Sequence, residues 1–190
     1  MEINIRDIER KNIDALAEII CNTWGFNDSF SASLAYKIGR LYLAESLYKS
    51  NFTKVAFADG KAVGLILARA ENLKNFDVQK SLYLLKCMLS VIFNFEALRA
   101  LKVFADIERQ NTELYKEAAG DFDGEITLFA VDEALRGFGI GKRLYTAALD
   151  FLKDQGAKNY FVFTDTTCNY GFYEHEGAIR LKEKEMLIPL

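Results

Sequence analysis

Residues 135–143, Leu-Arg-Gly-Phe-Gly-Ile-Gly-Lys-Arg, place Gly137, Gly139 and Gly141 among Arg136, Lys142 and Arg143, between a strand-like and a helix-like run. Glycine lets backbone N–H groups crowd around an anion with no side chain in the way. The start of the following helix adds unpaired amides and a partial positive charge. The chemistry this predicts is a phosphate cradle. A Walker A loop would need glycine where Arg136 stands and serine or threonine where Arg143 stands. A dinucleotide fingerprint begun at Gly137 would need its third glycine at Lys142, and one begun at Gly139 would need it at Leu144. Both nucleotide readings fail, and the pattern that remains is Arg-x-x-Gly-x-Gly over Arg136, Gly139 and Gly141.

The elements around this loop follow from periodicity. Glu125–Val131 reads as a strand, Gly141–Gln155 as an amphipathic helix closed by Gly156, and Asn159–Thr164 as a second strand, together a βαβ-like unit. Tyr170–Glu176 is predicted as a short helix ended by Gly177, and Arg180–Ile188 as a last strand before Pro189. Upstream, a strand is expected over Ile3–Arg6 and a helix over Ile13–Thr23 with Asn12 as N-cap. A second helix follows over Ser31–Tyr48, then a hairpin of Lys54–Ala58 and Ala62–Ala70 about the Asp59-Gly60 turn. Gln79–Phe104, apolar almost all round, predicts one or two buried helices, with a cover over the acceptor site or a pairing role between subunits, for Ser81–Phe104, as the other accounts. Residues 111–124 read as a loop with at most a helical turn.

The loop and its setting resemble the GNAT superfamily of N-acetyltransferases, whose pyrophosphate pattern is Gln/Arg-x-x-Gly-x-Gly/Ala at a strand-to-helix junction. The segment Phe172-Tyr173-Glu174-His175-Glu176-Gly177-Ala178 resembles that family's Phe-Tyr-x-x-x-Gly-Phe. The resemblance is sharp over Glu125–Ala178 and architectural before it. It implies an α+β fold over one domain, residues 1–190, with a mixed, mostly antiparallel central sheet flanked by helices. That sheet would open as a wedge between two central parallel strands, Glu125–Val131 and Asn159–Thr164.

It further implies acetyl-CoA as cosubstrate. The backbone of Phe129, Ala130 and Val131 would pair with pantetheine. Arg136, Gly137, Phe138, Gly139, Ile140, Gly141 and Lys142 would surround the pyrophosphate, and Asn169 would add a contact. Glu133 and Ala178 depart from the family's usual Pro and Phe, and Asn169 lies closer to Tyr173 than the family's asparagine does.

Acetyl transfer to an amine needs a neutral nucleophile, a polarised thioester carbonyl and a proton for the departing thiolate. The resemblance places Tyr173 near the sulfur as that acid; the other reading is a core tyrosine. Glu125 is the candidate base, against a solvated carboxylate at the start of a strand. A backbone N–H of Phe129–Val131 is the expected oxyanion donor. Asp165 reads as a turn cap or an orienting group, His175 between two glutamates as solvated, and Phe172 as packing. Cys168 lacks a local histidine for nucleophilic work, and Cys21 and Cys87 read as core.

With 190 residues, 51% hydrophobic and 27% charged, the chain has the composition of an ordinary globular protein. Three dispersed cysteines argue for a reducing compartment and offer no metal site. The amino terminus has no signal-like apolar region, and residues 81–101 are interrupted by charges, so the expectation is a cytoplasmic protein without membrane insertion. A net charge of −3 gives no attraction to nucleic acid. The expected activity is N-acetyl transfer from acetyl-CoA to a primary amine of a small molecule or peptide by direct attack, with a homodimer as a possible assembly. The competing reading is a non-catalytic acyl-CoA-binding regulatory module. Trp24, Phe26, Phe30 and Tyr36 are candidates to line the acceptor site or to join the core.

Overall fold

The structure, a computed structural model, describes residues 1–73, 77–164 and 169–183. In chain order the elements are β1 (Ile3–Arg6), α1 (Ile13–Thr23), α2 (Phe26–Ser29), α3 (Ala32–Lys49), β2 (Phe52–Ala58) and β3 (Lys61–Ala70). They continue with α4 (Val78–Val91), α5 (Phe95–Ala118), β4 (Gly124–Val131), α6 (Ile140–Asp154), β5 (Tyr160–Val162) and α7 (Tyr170–His175). The strands form one sheet in the order β1-β2-β3-β4-β5. All neighbours are antiparallel except β4 and β5, which run parallel.

Strand alternation assigns side chains to two layers. Val55, Phe57, Leu65, Leu67, Leu128 and Ala130 pack with α1 and α3 on one face. Ala56, Ala58, Ile66, Ala68 and Phe129 pack with α6 and α7 on the other. Two bulges change the alternation. Ala56 opposes Gly64 while Phe57 opposes Ala62, so Val63 is extra on β3 and turns to the α6 face. Leu67 opposes Leu128 while Ala68 opposes Ile126, so Thr127 is extra on β4. Below Thr127 every β4 side chain therefore points to the opposite side from that predicted by counting back from Phe129.

Helix α6 buries Ile140, Leu144, Tyr145, Ala148 and Leu152, an inward stripe at helical spacing. It lies close to the sheet because glycines stand beneath it. A Cβ on Gly64 would come within 3.3 Å of Leu144, and one on Gly124 within 2.7 Å of Leu152.

Several expectations are corrected. Residues 111–118 are helical, part of α5, and not loop. The apolar 79–104 segment forms α4 and the start of α5, but much of it is exposed, including Leu82, Leu85, Leu89, Phe93 and Phe95. Asn12 does not cap α1 with its side chain; its Oδ1 turns back to accept from the Glu9 amide at 3.2 Å, within a short turn of helix over Arg10–Asn12. β5 is shorter than Asn159–Thr164. Arg180–Glu183 are not strand, and the rest of the expected last strand lies outside the described residues.

Candidate active site

The parallel ladder between β4 and β5 covers Gly124–Ile126 opposite Tyr160–Val162 and then stops. β4 continues to Val131, held from the other side by β3 through pairs such as Ile66 with Phe129 and Gly64 with Val131. β5 ends at Val162, and no strand among the described residues pairs with the β5-facing edge of Phe129–Val131, a row of backbone groups suited to an extended ligand.

The edge runs directly into the glycine loop. The Asp132 amide donates to Val63 O at 2.8 Å, and its carboxylate accepts from the Ala134 amide at 3.0 Å, bending the chain through a turn at Glu133–Leu135. Gly137 and Gly139 then adopt φ of 86° and 74°. These are left-handed conformations that cost other residues about 1–2 kcal/mol. Among the described residues no atom lies within 4 Å of where a Cβ would stand at either position. Crowding by the protein therefore does not require glycine there; the backbone path does, and it leaves open space over the loop. The first helical bond of α6 is Arg143 N–H to Gly139 O, at 3.1 Å. The amides of Ile140, Gly141 and Lys142 precede it and have no carbonyl one turn behind them, the arrangement that binds anions at helix starts.

The basic side chains are engaged within the protein. Arg136 pairs with Glu133 at 3.1 Å, Lys142 with Glu176 at 3.3 Å, and Arg143 donates to Ile3 O at 3.0 Å. The exposed Arg136–Glu133 pair is worth at most about 1 kcal/mol and is easily exchanged for a phosphate. Arg143 points away to β1. Phe138 is exposed, while Ile140 is buried and anchors the loop. Asn169 is exposed at the start of α7, where its carbonyl accepts from the Phe172 amide at 3.1 Å.

Tyr173 of α7 is buried. Its ring meets those of Phe129 at 6.2 Å and Tyr145 at 5.9 Å, and Phe172 packs against both of the latter. The hydroxyls of Tyr145 and Tyr160 are hydrogen-bonded. Burial, and then that bond, hold the Tyr145 phenol far above its ordinary range, so it stays neutral.

Glu125 lies on the opposite face. The Thr127 bulge turns it away from Phe129 and Tyr173 toward α3 and α5, where Arg69 of β3 pairs with it at 2.9 Å. The Glu125 side chain is 15% exposed. Burial pushes its carboxyl above the ordinary carboxylate value, against the pull of Arg69 and Lys49; Glu108 and Glu71 add to the rise. The expectation of a solvated carboxylate is thus corrected. Arg69 also holds Glu71 at 2.7 Å, and its Nε is buried without a hydrogen-bond partner among the described residues. The bulge itself is tied down: Ser50 Oγ donates to Ser46 O, so its one proton is spent there, and Thr127 Oγ1 donates to Ser50 Oγ at 2.6 Å.

A cavity of about 410 Å³ opens along β5. Tyr115, Phe122, Phe161 and Phe163 form an aromatic wall on the Glu125 face, and Tyr173 and Glu174 contribute from α7. Trp24, Phe26 and Phe30 do not reach it. They pack among α1, α2 and α3, with Trp24 5.1 Å from Tyr42. Tyr36 donates to Asp14 at 2.6 Å at the surface. His175 is exposed. Cys21 and Cys87 are buried. Asp165 and Cys168 lie outside the described residues. Arg69, Thr127 and Tyr145 were not singled out by sequence; Arg69 faces Glu125 across a ladder whose strands are separated by two intervening helices, and pattern reading gives no signal for that pairing.

The model of the acetyltransferase (GNAT) family matches residues 14–177. None of the curated proteins compared matches the chain. Among solved structures, PH1933 from Pyrococcus horikoshii OT3 superposes with a TM-score of 0.64 at 19% identity, covering 97% of this chain and 93% of that one. AAC(6')-Iy, solved with a bisubstrate analogue, CoA-S-monomethyl-acetylneamine, gives 0.54 at 12% identity, with 100% and 99% covered. The PaiA N-acetyltransferase of Thermoplasma acidophilum, solved with coenzyme A, gives 0.54 at 15% identity, with 97% and 94% covered. At these identities the likeness is one of fold.

Proposed function

The chain belongs to the acetyltransferase (GNAT) family, and from that premise we propose that it transfers the acetyl group of acetyl-CoA to a primary amine of a small molecule or peptide by direct attack. The carrying observation is the continuity of the β4 edge, unpaired among the described residues beyond Ile126 on its β5 side, with the glycine-bent start of α6. The edge suits an amide-bearing arm, and the loop suits a diphosphate one turn further on.

Acetyl-CoA, as substrate, supplies an activated acyl group. The chain's residues bind and orient it. The amides of Ile140–Lys142 and the open space over Gly137 and Gly139 receive the pyrophosphate, with Phe138 and Arg136 at the rim. Lys142, once it leaves Glu176, and Asn169 add contacts to the pyrophosphate. The edge backbone of Phe129–Val131 holds the pantetheine arm, and one of its N–H groups is the oxyanion donor, a fixed dipole that needs no reorganisation.

The sheet divides the proton work between its faces. Tyr173, among apolar rings on the α6 face, gives its phenolic proton to the leaving thiolate. Glu125, on the other face, accepts a proton from the amine, directly or through water; its burial raises its basicity toward that task. The end of the β4–β5 ladder is the passage between the two. The aromatic cavity beside Phe161 fits an acceptor that carries an apolar body with its amine. A non-catalytic acyl-CoA-binding module would keep the cradle and lack this proton chemistry.

The test has two stages. CoA, but not NAD or ATP, should raise the melting temperature, because a ligand stabilises only the state it binds. Thiol release from acetyl-CoA should then depend on an added amine from a panel. CoA stabilisation with no thiol release across the panel would favour the binding-module reading, and no CoA stabilisation would overturn both.

A further inference from the structure

Helix α4 is apolar on two sides. Leu84, Cys87 and Val91 turn inward to the core beneath α3. On the outer side Val78, Leu82, Leu85, Leu89 and Ile92 succeed one another at alternating steps of four and three, the spacing of a coiled-coil seam. These side chains face solvent, Leu82 at 61% and Leu89 at 54% exposure. The seam continues at the α4–α5 corner into Phe93 and Phe95, which are 94% and 71% exposed.

With Met88 and Leu98, which are also exposed, the outer face leaves roughly 1,050 Å² uncovered, taking about 200 Å² for a fully exposed large apolar side chain. The largest apolar patch of an ordinary monomer is about 300–600 Å². Each partner in a standard interface gives about 800 Å². The area therefore matches one half of a stable dimer. Charge selects the occupant. Asp77 and Glu96 stand with Lys86, Arg99 and Lys102 around the seam, a mixture of signs. A two-fold copy can meet that mixture with its own opposite charges, whereas an anionic lipid surface or a nucleic acid would require a single positive sign.

We propose that the outer seam of α4 and the Phe93–Phe95 corner form an isologous interface with a second copy of this chain. The two α4 helices run antiparallel about a two-fold axis nearest Leu85, the centre of the seam. The inference stands apart from the acetyl-transfer reading, since it uses no residue of the cleft.

Sedimentation equilibrium of the full chain from about 1 to 100 μM decides it. Twice the 21.6 kDa chain mass is expected for the wild type. Leu85→Glu should sediment as a monomer with unchanged far-ultraviolet circular dichroism. Should Leu85→Glu fail to fold, Phe93→Ser, outside the helices, decides instead: it should weaken association at least about tenfold, as loss of a buried aromatic anchor does. A monomeric wild type throughout the range overturns the proposal, as does a dimer indifferent to the substitution. A monomeric wild type that co-sediments with phosphatidylcholine vesicles overturns it in favour of a lipid occupant.

Discussion

Replacing Gly139 by alanine separates the backbone cost of the loop from its role as a cradle. At φ of 74° the substitution forces a left-handed alanine, and among the described residues no atom lies within 4 Å of the new methyl. The strain is about 1–2 kcal/mol. For a chain of this length each kcal/mol lowers the melting temperature by about 2–4 °C. On the cradle reading, the methyl is expected to intrude on a phosphate held by the amides that precede Arg143. Loss of one hydrogen bond to a charged group costs about 1.5–3 kcal/mol, which corresponds to about 10- to 150-fold in the CoA dissociation constant.

Gly156 supplies a matched control. Its φ is 80°, and nothing lies within 4 Å of its Cβ position either, but it closes the far end of α6. Gly156→Ala should lose similar stability and keep CoA affinity. Calorimetric titration with CoA, alongside thermal melts, reads both quantities. If Gly139→Ala binds CoA as well as Gly156→Ala does, the loop is not the phosphate site and the reasoning fails.

Two further outcomes are expected. Tyr173→Phe removes the hydroxyl and keeps the ring contacts with Phe129 and Tyr145, so turnover should fall while CoA affinity changes little; unchanged turnover would remove Tyr173 from the acid role. For Glu125, burial raises the native carboxyl above its ordinary 4.5, so between these values the folded chain binds a proton that the unfolded chain has released. That contribution is complete below the unfolded value and is lost as pH rises through the native one. The stability of the wild type relative to Glu125→Gln should therefore decline from about pH 4 toward pH 7 in denaturant melts; a difference that is flat or rises with pH would contradict the assigned burial.

Local patterns carried far in this chain. Apolar spacing marks α1 and α6, the Asp59-Gly60 turn takes φ of 46° and 82° as its residue types demand, and the glycine spacing of the loop is met by its backbone. What sequence did not reveal depends on distant or subtle causes. The pairing of Arg69 with Glu125 joins strands on either side of α4 and α5. The face on which Glu125 lies depends on one extra residue, Thr127, and alternation read without it gives the wrong side. Residues 111–118 form helix although their composition is polar; Tyr115 contributes a single aromatic contact to β5 through Phe161. All-round apolarity made α4 look like interior, because periodicity does not say whether the second apolar side is covered by the same chain or by another.

The glycines under α6 carry a consequence for the far end of that helix. With no side chain at 64 or 124 to hold it off, the rod rests on the strands at two points, near Leu144 and near Leu152. Two points of support fix a tilt. The height and slant of the amide crown above the β4 margin are thus levelled from below, by absent methyl groups.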